Sequence, residues 1–419
     1  MNNVISKNID KFKSVFVSVN FFLPIDELTA SRNALLALVM KKSSSVFASE
    51  KELERKLASL YDARLDVDID KFSNSLCLKY TIECINGVKD INVVDDAISI
   101  LYDIILNPKI VMQDGNKAFE PEIVSREKQN LLQKIVEERD NKRKYALKQL
   151  EKYMFKNSGY GINLLGNLES INNISGEELF AHYEYMLKNS NIVVEAVGNL
   201  CGHENIANDI YNHIIQNIDN NPSFECERIV DLFSASHEPE INKEIQDINQ
   251  SVLTIGCSLG DISKEDSYKA MVYAQVLGGS PASKLFQNVR EKESLAYFAK
   301  AMYNRQKEAI YLFSGIAPQN YDKAKKVMLN QLEEIKNGNV TDIELNAAKQ
   351  NIIFGYNDAR DSKYEYAKII LANEMYFKNQ VEIDEIIEKI RSVTLSDVID
   401  IANKVKVEQV FLLGGIENE

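Results

Sequence analysis

Histidine is scarce in this 419-residue sequence: the four are His182, His203, His213 and His237, and no two stand three or four residues apart. The helical zinc motifs H-x-x-E-H and H-E-x-x-H are therefore both missing. The five cysteines, Cys77, Cys84, Cys201, Cys226 and Cys257, are odd in number and scattered. With no C-x-x-C among them, neither a zinc knuckle nor a redox pair is supported. Cys77, Cys84 and Cys257 lie in apolar strand-like runs and read as buried free thiols. No apolar run approaches the roughly 18 residues of a membrane span. The opening residues, MNNVISKNIDKFKS, lack the apolar core and small-residue cleavage site of a signal peptide. A reducing cytoplasm fits these absences. The net charge of −13 argues against a nucleic-acid or anionic-membrane surface, which needs clustered Lys and Arg. No G-x-S-x-G context supports a serine hydrolase.

What is present has the length of two domains of roughly 200 residues each. An alternating strand, 15–22, opens the first half. Helical runs follow at 30–41 and 49–62, the second with the S-x-x-E spacing of a capping box at Ser49 and Glu52. Strands at 64–70 and 75–83 lead to a helix at 93–106 and a long charged helix at 121–155. A Gly-rich turn, a helix from Ser175, a buried-type strand at 192–197 and an amphipathic helix near 204–216 complete the half.

The second half repeats this order. A strand at 251–259 precedes helices near 266–277 and 283–293, and strands at 297–303 and 310–316. Helices at 321–336, 342–377 and 384–404 run into a strand at 410–413. NIVVEAVGN at 191–199 mirrors VEQVFLLGG at 407–415, and YMF at 153–155 mirrors MYF at 375–377. The expected fold is α+β, built as α/β layers: two duplicated half-chain domains, 1–218 and 251–419, each an antiparallel or mixed sheet covered by helices. The polar, mainly acidic stretch 219–250 between them reads as a linker.

One stretch carries chemistry. Gly278–Tyr297 reads GGSPASKLFQNVREKESLAY. Gly278 and Gly279 end a helix and allow close backbone approach or positive φ. Ser280 or Ser283 can cap the next helix, whose apolar face is Leu285, Phe286 and Val289. Arg290 follows on that helix, and Tyr297 comes seven residues later at the start of a strand. A guanidinium offers planar, permanent donors to a carbonyl or carboxylate. A phenol can donate to an oxygen on which charge develops. From spacing alone, the plainer alternative is a solvated charge run (Arg290 to Glu293) and a tyrosine packed in its strand.

With its flanks, this stretch resembles the signature of the pitrilysin/insulinase family of zinc metallopeptidases, in the branch built like mitochondrial processing peptidase. The resemblance covers nearly the whole chain and implies two duplicated halves that close like a clam shell. It implies that Arg290 and Tyr297 bind substrate and stabilise the oxyanion at a zinc site formed by another domain or subunit. The zinc side departs from the family. The matching first helix reads TASRNALLALVMKKSSS, and the ligand positions within 33–38 hold Asn, Ala or Leu. The further Glu would fall near Gln133 or Lys134. No metal or other cofactor is therefore expected in this chain.

Together these features lead to a non-catalytic, substrate-binding subunit of a heterodimeric zinc peptidase, inactive alone and acting on small unfolded peptides. The H-x-x-E-H and the zinc would belong to a homologous partner subunit. The competing expectation is a stand-alone homodimeric peptide-binding or scaffold protein with no proteolytic role.

Overall fold

The computed structural model describes residues 3–72, 75–87, 92–222, 224, 226, 238–378 and 381–415. Twelve strands are described: β1 (Val4–Asn8), β2 (Ser14–Pro24), β3 (Arg64–Phe72), β4 (Ser75–Ile85), β5 (Ile110–Gln113), β6 (Asn116–Phe119), β7 (Asn191–Gly198), β8 (Glu240–Ile245), β9 (Ser251–Ser258), β10 (Ala296–Asn304), β11 (Ala309–Ile316) and β12 (Lys406–Gly414). They form a first sheet ordered β1-β7-β2-β4-β3 and a second ordered β8-β12-β9-β11-β10, with β5 and β6 as a separate hairpin. The two five-stranded sheets correspond strand for strand. In each the outer pair is parallel, β1 with β7 and β8 with β12, and the other pairings are antiparallel. The mirrored motifs at 191–199 and 407–415 are β7 and β12, which hold equivalent places. The duplicated, mixed-sheet α+β architecture expected from the sequence is the one observed.

Strand alternation decides which residues meet which layer. On β2, Val15, Val17, Val19, Phe21 and Leu23 point into the larger core. That core includes apolar residues of helices Glu27–Met40, Val93–Leu106, Gly176–Asn189 and Ile206–Asn217. Ser18, Asn20 and Phe22 alternate to the other face, where Phe22 joins Ile5, Phe72, Cys77 and Val193 under Leu371 and Met375. Those last two residues belong to helix Lys363–Phe377, far along the second half. The second sheet has the reciprocal cover. Ala146, Leu150 and Met154 of helix Lys142–Met154 pack on Val252, Tyr311, Phe411 and Leu413. Gly256 makes room for this contact, because a Cβ there would lie 2.6 Å from the Met154 sulfur.

The chain thus divides into two compact units that exchange a helix. As far as they are described, one comprises Met1–Val136, Ile162–Arg228 and Arg360–Gln380; the other comprises Glu137–Gly161, Ile229–Ala359 and Val381–Glu419. This exchange breaks the two long helices expected at 121–155 and 342–377. The first is Pro121–Asp140 followed by Lys142–Met154, with Asn141 capping the new start by accepting from the Lys144 N–H at 3.1 Å. The second is Asp342–Ala359 followed by Lys363–Phe377, capped by Ser362. Cap residues inside a helical pattern are stop-and-restart signals.

The stretch read as a linker, 219–250, is not all connector. Its residues 223, 225 and 227–237 lie outside the described residues, while β8 and the first contacts to β12 occupy its end.

Candidate functional site

The arginine–tyrosine element lies wholly in the second unit. Helix Lys264–Gly278 approaches β10 so closely that a Cβ on Gly278 would stand 2.2 Å from the Ala301 nitrogen. Close approach, and not a positive φ, is what Gly278 provides. The turn that follows does not start with a serine cap: the Ser283 hydroxyl donates back to the Ser280 carbonyl at 2.5 Å. Phe286–Lys292 then forms a π-helical turn where an ordinary helix was expected. Such turns add a residue to the helical circuit and recur at functional sites.

Leu285 and Val289 are buried and anchor the turn. Half-exposed Arg290 projects from it, its guanidinium carbon 4.6 Å above the Phe286 ring and its Nε 3.5 Å from Glu291. Ser294 takes a left-handed backbone, with φ of 50°, and the Leu295 N–H returns to the Val289 carbonyl. The chain then enters β10, an edge strand. Its pairing with β11 slips between Ala296 and Phe298, so Tyr297 is the extra residue of a β-bulge. Bulges re-aim side chains near sheet edges and active sites. Tyr297 is 72% exposed, although its ring is among the largest apolar surfaces available for burial. Among the described residues neither a hydrogen bond nor a ring contact engages it. The plain packing role for Tyr297 therefore has no contact to support it.

A cavity of about 960 Å³ adjoins the same turn, lined by Lys284, Asn288, Lys292 and Glu293 against residues of helix Tyr321–Lys336. Neither Arg290 nor Tyr297 lines it.

The other expected half of a peptidase site is a different environment. Asn33, on helix Glu27–Met40, is buried, and its Oδ1 accepts a 2.7 Å hydrogen bond from His182 Nε2. Burial, with the nearby Arg32 charge, pushes the His182 imidazole down to about 4. His182 is thus a neutral core histidine. Its place was legible: it shares one face of helix Gly176–Asn189 with buried Leu179, Tyr183 and Met186.

On helix Pro121–Asp140, Gln133 and Lys134 are exposed. The buried carboxylate of that helix is Glu127, which sequence reasoning missed. Arg126 Nε lies 3.0 Å from it, Asn130 donates to it at 2.8 Å, and Lys42 Nζ stands 3.9 Å away. Its charge is already matched by cations. Among the described residues no group of three or more His, Cys, Asp or Glu is placed to hold a metal ion. A zinc ion does not fit this donor set, since Asn, Ala and Leu replace the needed imidazoles and carboxylate.

Residues 173–352 match the sequence family described as the peptidase M16 inactive domain. The chain is M16-like. Its resemblance to the pitrilysin/insulinase zinc peptidases, read from Gly278–Tyr297, is borne out. The probable inactive metalloprotease YmfF of Bacillus subtilis (strain 168) is 25% identical over 417 residues, spanning 97% of this chain and 94% of its own. An uncharacterized zinc protease of Rickettsia bellii is 26% identical over 313 residues, 69% of each. Among solved structures, a conserved protein from Enterococcus faecalis V583 superposes with a TM-score of 0.90 at 25% identity, covering 99% of this chain and 97% of its own. A peptidase M16 inactive domain from Pseudomonas fluorescens shares the fold, with a TM-score of 0.77 at 14% identity over 99% and 96% of the two chains. No described helix is long and apolar enough to cross a membrane.

Proposed function

We propose that this M16-like chain is the non-catalytic, substrate-binding subunit of a heterodimeric zinc peptidase. Its homologous partner would hold zinc through H-x-x-E-H, and Arg290 and Tyr297 would complete the site on the substrate side. The observation that carries this reading is Tyr297: an unpartnered phenol, set outward by a bulge, one short turn beyond an arginine held over Phe286. A side chain that only packed in its strand would not present a free hydroxyl there. An oxyanion donor needs one. Arg290 would hold a peptide carbonyl or carboxylate through charge-assisted bonds. The substrate would be a small unfolded peptide, and the complex would work in the cytoplasm.

The test is reconstitution with a homologous subunit that carries H-x-x-E-H. Tyr297→Phe keeps the ring and removes one donor, so kcat should fall roughly 10²–10³-fold. Arg290→Ala should raise KM, by roughly tenfold to a hundredfold. Both variants should still form the complex and leave the partner's zinc in place. Full activity of the double variant would refute the reading.

A further inference from the structure

We propose that Arg143, stacked on Phe298 beside Tyr297, forms with Lys300 a shelf that binds a carboxylate of the peptide this chain holds. The proposal rests on the reading that Tyr297 faces substrate, and it names a substrate class for that same site.

The shelf is built from the strand upward. Phe298 follows Tyr297 directly on β10 and pairs with Gly315 of β11. Its ring lies across that glycine: a Cβ on Gly315 would come within 2.4 Å of the Phe298 ring. Phe313, the next same-face residue of β11, flanks it with ring centroids 6.2 Å apart. An aromatic platform laid flat over glycine leaves one face to be covered, and Arg143 covers it. The guanidinium carbon stands 3.8 Å from the Phe298 ring centroid, the shortest cation–ring distance among the described residues. Stacking fixes the plane of a guanidinium while leaving its N–H groups available at the edge.

Those N–H groups are uncommitted. Arg143 is exposed, and no hydrogen bond or ion pair engages it among the described residues. Its neighbours are engaged: Lys142 donates to Gln246 at 3.0 Å, and Lys144 pairs with Glu138 at 2.8 Å. Helix stability does not explain the arginine either. It sits in the first turn of Lys142–Met154, which contains no acid, and the helix dipole disfavours cations at that end. Lys300 lies two residues beyond Phe298 on the same strand face, exposed and without an ion pair. In a chain with a net charge of −13, an unmatched guanidinium on this ring and an unpaired lysine two residues along the same strand are a local exception. A fixed guanidinium beside an ammonium suits a carboxylate, from an Asp or Glu side chain or from a peptide C-terminus.

The experiment measures direct binding to the full chain by fluorescence anisotropy. Four labelled Gly/Ser/Ala nonapeptides serve as probes: a central Glu or Gln, each as C-terminal acid or amide. Carboxylate-bearing peptides should bind about tenfold or more tighter than the Gln amide, and the Glu and acid arms show which source is preferred. Arg143→Gln should abolish the discrimination while leaving the unfolding transition in place. Lys300→Gln should reduce it, and Arg143→Lys should retain only part of it. Equal binding of the four probes, no binding of any, or undiminished discrimination in Arg143→Gln would overturn the shelf. In the reconstituted complex, a disabling Tyr297→Phe alongside equal probe binding would sink the shelf alone. An inert Tyr297→Phe alongside Arg143-dependent binding would instead sink the catalytic role.

Discussion

Two buried titratable groups in the first unit pull its stability in opposite directions with pH. His182 has a folded-state pKa near 4 against an ordinary 6.5. Between those values the unfolded chain binds the extra proton, so stability rises with pH across that window. Glu195, on β7, is buried; among the described residues only the Ser18 hydroxyl donates to it, at 3.1 Å, and burial pushes its carboxyl up to about 8 from 4.5. Here the folded chain holds the proton longer, so stability falls as pH rises from 4.5 through 8. Below 6.5 the two effects offset each other. Above it only the Glu195 effect remains, amounting to about 2 kcal/mol by pH 8. Urea midpoints should therefore decline from pH 6.5 to 8 in the natural chain and stay level in Glu195→Gln, whose amide mimics the protonated acid. A parallel decline in the variant would assign the effect to other groups.

At the scale of elements, the exchanged helices make the sharpest forecast. Leu371 and Met375 lie in the second half of the sequence but pack on the sheet made by the first. Leu371→Ala should cost about 2–5 kcal/mol as a core truncation. The loss should appear as faster amide exchange in β2 and β7, with β9 and β11 protected as before. Loosening of the second sheet instead would contradict the exchange. None of this could be read from period alone, because Lys142–Met154 and Lys363–Phe377 carry apolar faces that fit either sheet. The strands buried on both faces, β2, β7 and β9, were legible as dense apolar runs, and so was the repeated order of elements. β1 and β8 were not. β8 reads EINKEI, with Ile241 and Ile245 both more than half exposed. What holds it is parallel pairing to β12 and the Gln409 amide, which donates to the Glu240 carbonyl and the Asn242 side chain. Edge strands held by backbone pairing leave little hydrophobic trace. The positions of Arg290 and Tyr297 were legible from their motif. The π-turn and the bulge that expose them arise from one-residue irregularities that no period reveals.

For the whole molecule, duplication has produced two sheets of one topology, and under the proposed function only the second unit supplies groups to substrate. The second unit presents Arg290, Tyr297 and the Arg143–Phe298 stack. In the first unit, the region where the resemblance would place zinc offers no set of metal donors among the described residues. Asn33 is bonded to a neutral His182, and Glu127 is matched by Arg126 and Lys42. A metal there would have to displace those partners and find imidazole or carboxylate donors that the helix lacks. The purified chain should accordingly carry far less than one zinc per molecule by elemental analysis and leave unfolded peptides intact. Adding excess zinc should not raise its melting temperature, because a ligand stabilises the folded state only in proportion to its binding. Introducing Asn33→His alone should not create a tight site, since it would set only two imidazoles, its own and that of His182, beside the Arg32 charge, with no further His, Cys, Asp or Glu grouped with them among the described residues. Stoichiometric, tightly held zinc together with chelator-sensitive peptide cleavage by the chain alone would mean that its metal site lies elsewhere. The division of labour between two subunits would then be wrong.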